Sequence, residues 1–198
     1  MPMSKIKIYK IILICLIIAT IVVGTLVAIK YFNLYKNETE AKQVIANINK
    51  ELKNSDEPIK EINQQIQGHK VVGIIKIPKI ELEYPILETT TKETLNLSIT
   101  KFWGNQINEI GNVSLAGHNN LNGTMFGKTK RLEVGDIIEL TDIQNVTLKY
   151  KVFKIYVIDP NDISCILPEQ EGTREVTLIT CTNGNKNRLI VKAREENI

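Results

Sequence analysis

From Ile11 to Ile29 the chain runs 19 residues without a charge, nearly all Ile, Leu, Val or Ala, broken only by Cys15, Thr20, Gly24 and Thr25. As a helix rising about 1.5 Å per residue, this run reaches roughly 28 Å, close to the thickness of a hydrocarbon core. It predicts a transmembrane helix. The run exceeds the ~7–15 apolar residues of a cleaved signal peptide and no clear A-x-A site follows it, so an uncleaved signal-anchor is expected. Further on, Ala41, Val44, Ile45, Ile48 and Leu52 recur at helical spacing. Ser55-Asp56-Glu57-Pro58 then interrupts the pattern before Ile59, Ile62 and Ile66 resume it. Residues 30–69 therefore read as a stalk or linker. Its apolar face is expected to rest on the next domain or on lipid headgroups, because the pattern is too short for the three or so heptads a coiled coil needs.

After Gly68 the texture changes to short β-branched runs separated by turn residues, the pattern of an all-β sandwich or barrel. Strands are expected at Val71–Ile77, Ile80–Leu87, Asn112–Ala116, Ile137–Leu140, Val146–Ile158, Glu175–Cys181 and Arg188–Ala193. Thr90-x-x-Glu93 looks like a capping box opening a helix over Thr91–Ser98, and Thr124 is placed to cap another over Met125–Leu132. In the longest strand the apolar side switches from Val146, Leu148, Tyr150 and Val152 to Phe153, Ile155 and Val157. A bulge at Val152–Phe153 would produce that switch and bend the strand as barrel closure requires.

Charge refines the picture. Five of the 25 basic residues (Lys5, Lys7, Lys10, Lys30 and Lys36) lie in the first 36 positions, which hold no acidic residue, leaving 20 basic against 22 acidic groups in the remainder. The folded part thus lacks the basic footprint that nucleic-acid binding requires. The Lys5, Lys7, Lys10 cluster should stay in the cytoplasm, which puts the rest of the chain outside. Of the three cysteines, Cys15 lies in the apolar run, leaving Cys165 and Cys181. No CxxC, HxH or HExxH spacing joins them to His69 or His118, so no metal is expected.

The last two strands hold the candidate chemistry. Thr182-Asn183-Gly184-Asn185-Lys186-Asn187 is turn sequence between two β-rich runs, hence an antiparallel hairpin. If Cys181 pairs with Arg188, Ile179 faces Ile190, while Leu178 meets Val191 and Val176 meets Ala193 on the other face in one apolar layer. Thiol and guanidinium then emerge side by side, and a permanent cation favours the nucleophilic thiolate. Taken alone, the pair suits equally well a small buried residue beside a solvated charge. His118 changes the balance: it follows a strand end in Leu115-Ala116-Gly117-His118, where a glycine lets the backbone turn, and is placed to project into a cleft. His69, beside Gly68 and Lys70, reads as a solvated surface residue.

Thr177-Leu178-Ile179-Thr180-Cys181 with Arg188 seven residues on, and Gly117-His118 upstream, resemble the sortase signature, in which TLxTC carries the nucleophile. The resemblance spans about Val71 to Arg194 and includes Val72-Gly73-Ile74-Ile75-Lys76-Ile77-Pro78 and Tyr84-Pro85-Ile86. It implies an all-β fold, a closed eight-stranded sortase-type barrel with a few short helices, on the outer face of a Gram-positive cytoplasmic membrane. The expected organisation is a cytoplasmic tail over 1–10, the signal-anchor over 11–29, the stalk over 30–69 and a catalytic domain over 70–198. The implied reaction cleaves an LPxTG-like sorting motif of a secreted protein through a thioacyl intermediate on Cys181 and passes the new carboxyl end to an amine of the cell wall or a pilin, without a cofactor. His118 would act as general acid and base, and Arg188 would stabilise the substrate carbonyl oxygen. Thr180 matches a family position that shapes the pocket, and the connection Asp159–Arg174 would wall the peptide groove with Ile163, Ile166 and Leu167. The run Asn119–Gly127 is similar to class B members, whereas the compact chain and the short stretch from Cys181 to Arg188 look more like class D. The competing readings are a membrane-anchored β-domain that binds or senses ligands with a structural Cys181, and a plain thiol peptidase.

Overall fold

The computed structural model of the protein describes residues 5–54 and 64–196. The expected break at Ser55–Pro58, the positions Ile59 and Ile62 and the surroundings of Leu52 lie outside the described residues. The chain divides into two compact units, Met1–Asn37 and Glu38–Ile198. Helix α1 (Lys5–Asn54) carries the uncharged run. It is long and apolar enough to cross a membrane, and side chains such as Leu13, Ile17, Ile21 and Leu26 along it are exposed.

Within the second unit α1 contributes Ala41, Val44, Ile45 and Ile48, which lie on one face and are all buried. Val44, Ile45 and Ile48 cluster with Ile66, Val71, Ile74, Leu87 and Leu97, and Ala41 joins the main core. The strands follow as β1 (Gln65–Ile66), β2 (His69–Ile77), β3 (Leu82–Leu87), β4 (Ile99–Trp103), β5 (Gly111–Ala116), β6 (Ile137–Asp142), β7 (Thr147–Ile158), β8 (Arg174–Thr182) and β9 (Asn187–Glu195), with helix α2 (Lys92–Leu97) between β3 and β4. The pairing order is β1-β2-β3-β4-β5-β8-β9-β7-β6, and β6 pairs back to β2. Two-residue β1 is a hairpin appended to β2, so β2 to β9 form a closed eight-stranded barrel. At the closure Gly73 has no room for a side chain: a Cβ there would stand 2.6 Å from the Thr141 carbonyl oxygen.

All seven expected strands are present, and β7 shifts register between Val152 and Lys154, at the position of the expected bulge. Three expectations need correction. Strand β4 was not anticipated, although Ile99-Thr100-Lys101-Phe102-Trp103 before Gly104 is β-branched and aromatic; with Phe102 and Trp103 exposed, it shows no alternation. The cap of α2 is Thr91, not Thr90: its hydroxyl accepts from the Thr94 N–H while the Thr94 hydroxyl accepts from the Thr91 N–H. Thr90 instead bonds Thr100 Oγ1 (2.7 Å) and the Lys101 carbonyl (3.0 Å), tying this corner to β4. Finally, Thr124 caps no α-helix. Its hydroxyl is engaged by Asn120 and Asn122, and the segment after Met125 is a 3₁₀ turn over Phe126–Arg131.

Candidate active site

Three adjacent strands build the site. On β8, Val176 and Leu178 point into the main core, so Glu175, Thr177, Ile179 and Cys181 point outward. On β9, Val191 and Ala193 are internal, leaving Arg188, Ile190, Lys192 and Arg194 outside. On β5, Val113 and Leu115 are internal, leaving Asn112, Ser114 and Ala116 outside. This outer face is polar at one end and apolar, then reactive, at the other.

Strand register aligns the reactive end. The antiparallel β8–β9 ladder pairs Ile179 with Ile190 and Cys181 with Arg188. The parallel β5–β8 ladder runs from Gly111 opposite Arg174 to Ala116 opposite Ile179, and the Gly117 N–H then donates to the Ile179 carbonyl at 3.3 Å. Continued by two residues, this register brings His118 level with Cys181 on the side opposite Arg188. Asn119 fixes the continuation, its amide donating to the Cys181 carbonyl at 2.7 Å. His118, Cys181 and Arg188 are all half-buried and line one groove of about 320 Å³.

Gly117 is needed here for closeness rather than for a turn. A Cβ would lie 2.8 Å from the Phe126 ring, which is fully buried against it. The Phe126 N–H donates to the His118 carbonyl at 3.0 Å, so ring and histidine belong to one packed unit. Gly117→Ala is therefore expected to cost on the order of 1–3 kcal/mol through overpacking and to lower activity as His118 shifts. Thermal unfolding beside turnover checks this, and Phe126→Leu in the same chain should restore part of both.

Burial holds the His118 imidazole below its ordinary pKa of 6.5. Among the described residues no side-chain hydrogen bond or ion pair engages the ring, so desolvation acts without an opposing carboxylate. The imidazole is thus neutral at neutral pH. The unfolded chain takes up its proton first as the pH falls, so this group costs nothing above about 6.5 and stability is lost as the pH drops below that value. An NMR titration should place the His118 midpoint below 6.5; a midpoint above it would mean that an acidic partner faces the ring in solution. The Arg188 guanidinium donates through Nη1 to the Asn185 and Asn187 carbonyls, both at 3.2 Å. Among the described residues its Nε and Nη2 groups make no other hydrogen bond, leaving donors for a ligand.

Comparison with known proteins settles the family. A model of the sortase domain matches residues 75–196. The chain belongs to the sortase family. It is 31% identical to sortase A of Bacillus anthracis over 96% of this chain and 95% of that one. Among solved structures, a lid mutant of sortase A from Corynebacterium diphtheriae superposes with a TM-score of 0.60 at 32% identity, covering 66% of this chain and 72% of that one. A Clostridium perfringens sortase D5 transpeptidase gives 0.61 at 27% identity, covering 81% and 98%. As a sortase this protein is a transpeptidase with the family's closed barrel.

In this sortase the sequence-derived candidates do not all meet. Ile163 and Ile166 line the groove with His118, Cys181 and Arg188. Thr180 also borders it, but its hydroxyl donates to the Gly117 carbonyl at 2.8 Å, which ties β8 to the His118 corner. Leu167 is not among the residues that line the groove; it is exposed, and its carbonyl accepts from Lys192. His69 sits on β2, outside the groove, 3.6 Å from Glu93. Sequence reasoning missed Leu95 and Phe102, which also line the groove. The aromatic run of β4 was the signal for Phe102.

Proposed function

We propose that this sortase is a membrane-anchored cysteine transpeptidase that cleaves an LPxTG-like sorting motif at Cys181 and transfers the acyl part to an amine of the cell wall or a pilin. What carries the reading is the register that sets Cys181 between His118 and Arg188 in a groove that Phe102, Ile163 and Ile166 also line. Neutral His118 takes the thiol proton as Cys181 Sγ attacks the Thr–Gly carbonyl carbon. Free N–H groups of Arg188 stabilise the negative oxygen that forms. Collapse breaks the C–N bond, the leaving amine takes the proton from His118, and a thioester remains. An incoming amine attacks that thioester and gives a proton to His118, which returns it to the departing thiolate. Burial suits this cycle, since an imidazole that stays neutral is ready to accept a proton.

Apolar Ile163, Ile166 and Phe102 suit the apolar residues of the motif. The helix α1 supports anchoring through residues 11–29, with the tail 1–10 inside, the stalk 30–69 and the catalytic domain 70–198 outside. The test is intact-mass analysis of the full chain in detergent with an LPxTG-type peptide, with and without a glycine-based amine. A peptide-sized adduct that amine converts to ligated product supports the proposal. Adduct resolved only by water would make the protein a thiol peptidase, and no adduct with any peptide of a small motif panel would favour a binding domain.

A further inference from the structure

The connection from β7 to β8 folds across the polar half of the outer face, and three side chains there are among the most buried polar groups of the molecule: Thr177 is 0%, Lys192 1% and Asn112 5% exposed. Each reaches the main chain of that connection. The Asn112 amide donates to the Ile166 carbonyl at 2.8 Å, Lys192 Nζ to the Leu167 carbonyl at 2.7 Å, and the Thr177 hydroxyl lies 3.3 Å from the Cys165 carbonyl. Thr177 also donates to Asn112 Oδ1 at 2.9 Å, which turns the amide so that its nitrogen faces Ile166. Two residues on, the Glu169 N–H donates to Glu175, itself 1% exposed, at 2.8 Å. Two consecutive carbonyls, those of Ile166 and Leu167, are thus gripped from β5 and β9, while Thr177 on β8 spends its single O–H on orienting Asn112.

We propose that Thr177, Asn112 and Lys192 are positioning residues that hold the groove wall in its peptide-binding shape and so set selectivity for the apolar part of the sorting motif. The inference rests on the function proposed above. A surface connection of this length ordinarily samples several arrangements, and its ordering would otherwise be charged against binding. Here that entropy is lost on folding, because leaving a buried ammonium or amide without its acceptor is costlier than keeping the segment down. Ile166 is the side chain fixed most directly, since its own carbonyl is the one Asn112 holds, and it faces the groove that contains Cys181.

The test uses the full chain in detergent and the variants Thr177→Val, Lys192→Met and Thr177→Ser. Hydrogen exchange over Ile163–Glu169 reads the clamp without any assumption about catalysis. It should accelerate in the first two variants and return toward wild type in Thr177→Ser, which keeps the hydroxyl; unchanged exchange overturns the clamp. Peptide kinetics read its consequence. KM for an LPxTG-type peptide should rise with kcat little changed, and discrimination against the same peptide with alanine in place of leucine should fall by about tenfold, a typical worth for an apolar pocket. Alkylation of Cys181 by iodoacetamide should keep its rate, because the reactive end is untouched. Faster exchange with unaltered KM and discrimination overturns the specificity role. Wild-type protein that processes no peptide overturns the proposed function and this role with it, whatever the exchange shows.

Discussion

Cys181→Ala is expected to abolish both the peptide adduct and transfer to amine while leaving the fold as it is. The thiol stands half-exposed at the end of β8, so a methyl group in its place opens no internal cavity and leaves the main-chain pairing of Cys181 with Arg188 intact. Its carbonyl, which holds Asn119 and through it the His118 corner, is unaffected by the side chain. What disappears is the atom that forms the covalent bond, and loss of a nucleophile removes at least about 10³-fold of rate even where the remaining groups stay in place. Initial rates of ligated product, with intact mass on the same samples, measure this. Equal rates in the two proteins would make Cys181 structural and return the ligand-binding reading to the front.

Removing the end of helix α1 should have the largest effect on stability. Compared with a chain beginning at Glu38, one beginning at Gln64 loses Val44, Ile45 and Ile48 from the cluster around Ile66, Val71 and Leu87. At about 1.5–3 kcal/mol for each of these three apolar side chains, the loss is roughly 4.5–9 kcal/mol, an upper figure because the unfolded chain already hides part of that surface. Against the ~5–15 kcal/mol that keeps most domains folded, this is enough to unfold the shorter chain or leave it marginal. A polar contact adds to the effect: the Tyr84 hydroxyl donates to the Glu38 carboxylate and accepts from the Met125 N–H in the loop that follows His118. Urea unfolding of the two fragments decides the matter; coincident midpoints would show that the helix only rests on the barrel.

The hairpin illustrates how much local sequence carries. Alternation along Val176–Cys181 and Arg188–Ala193, joined by six turn residues, puts Leu178, Val191, Val176 and Ala193 on a common inner face when Cys181 pairs with Arg188, and that supposed pairing is the observed one. The β7 bulge was legible for the same reason, because a period-2 pattern that changes side needs an extra residue at the change. Caps were less legible. Thr90, Thr91 and Thr94 are chemically alike, and the choice among them was made by β4, whose Thr100 and Lys101 engage Thr90. Gly117 was singled out correctly but for another reason: its neighbour in space, Phe126, lies nine residues on and shows no sign in the sequence of filling that space.

By itself the sequence determined the uncharged membrane-length helix, the strand alternation, the hairpin and the TLxTC, Gly-His and Arg residues, all of which depend on neighbours within a few positions or on a pattern quoted whole. Only the tertiary structure decided that β5 runs parallel to β8, which is what draws His118 to Cys181 across more than sixty residues. It also decided the fate of Glu175, Thr177 and Lys192. Their alternation correctly put them outside the barrel, where polar residues are usually solvated, yet the β7–β8 connection covers them. Burial of an outward face depends on which distant segment folds over it, and a period of two distinguishes the two sides of a strand without saying what lies beyond either.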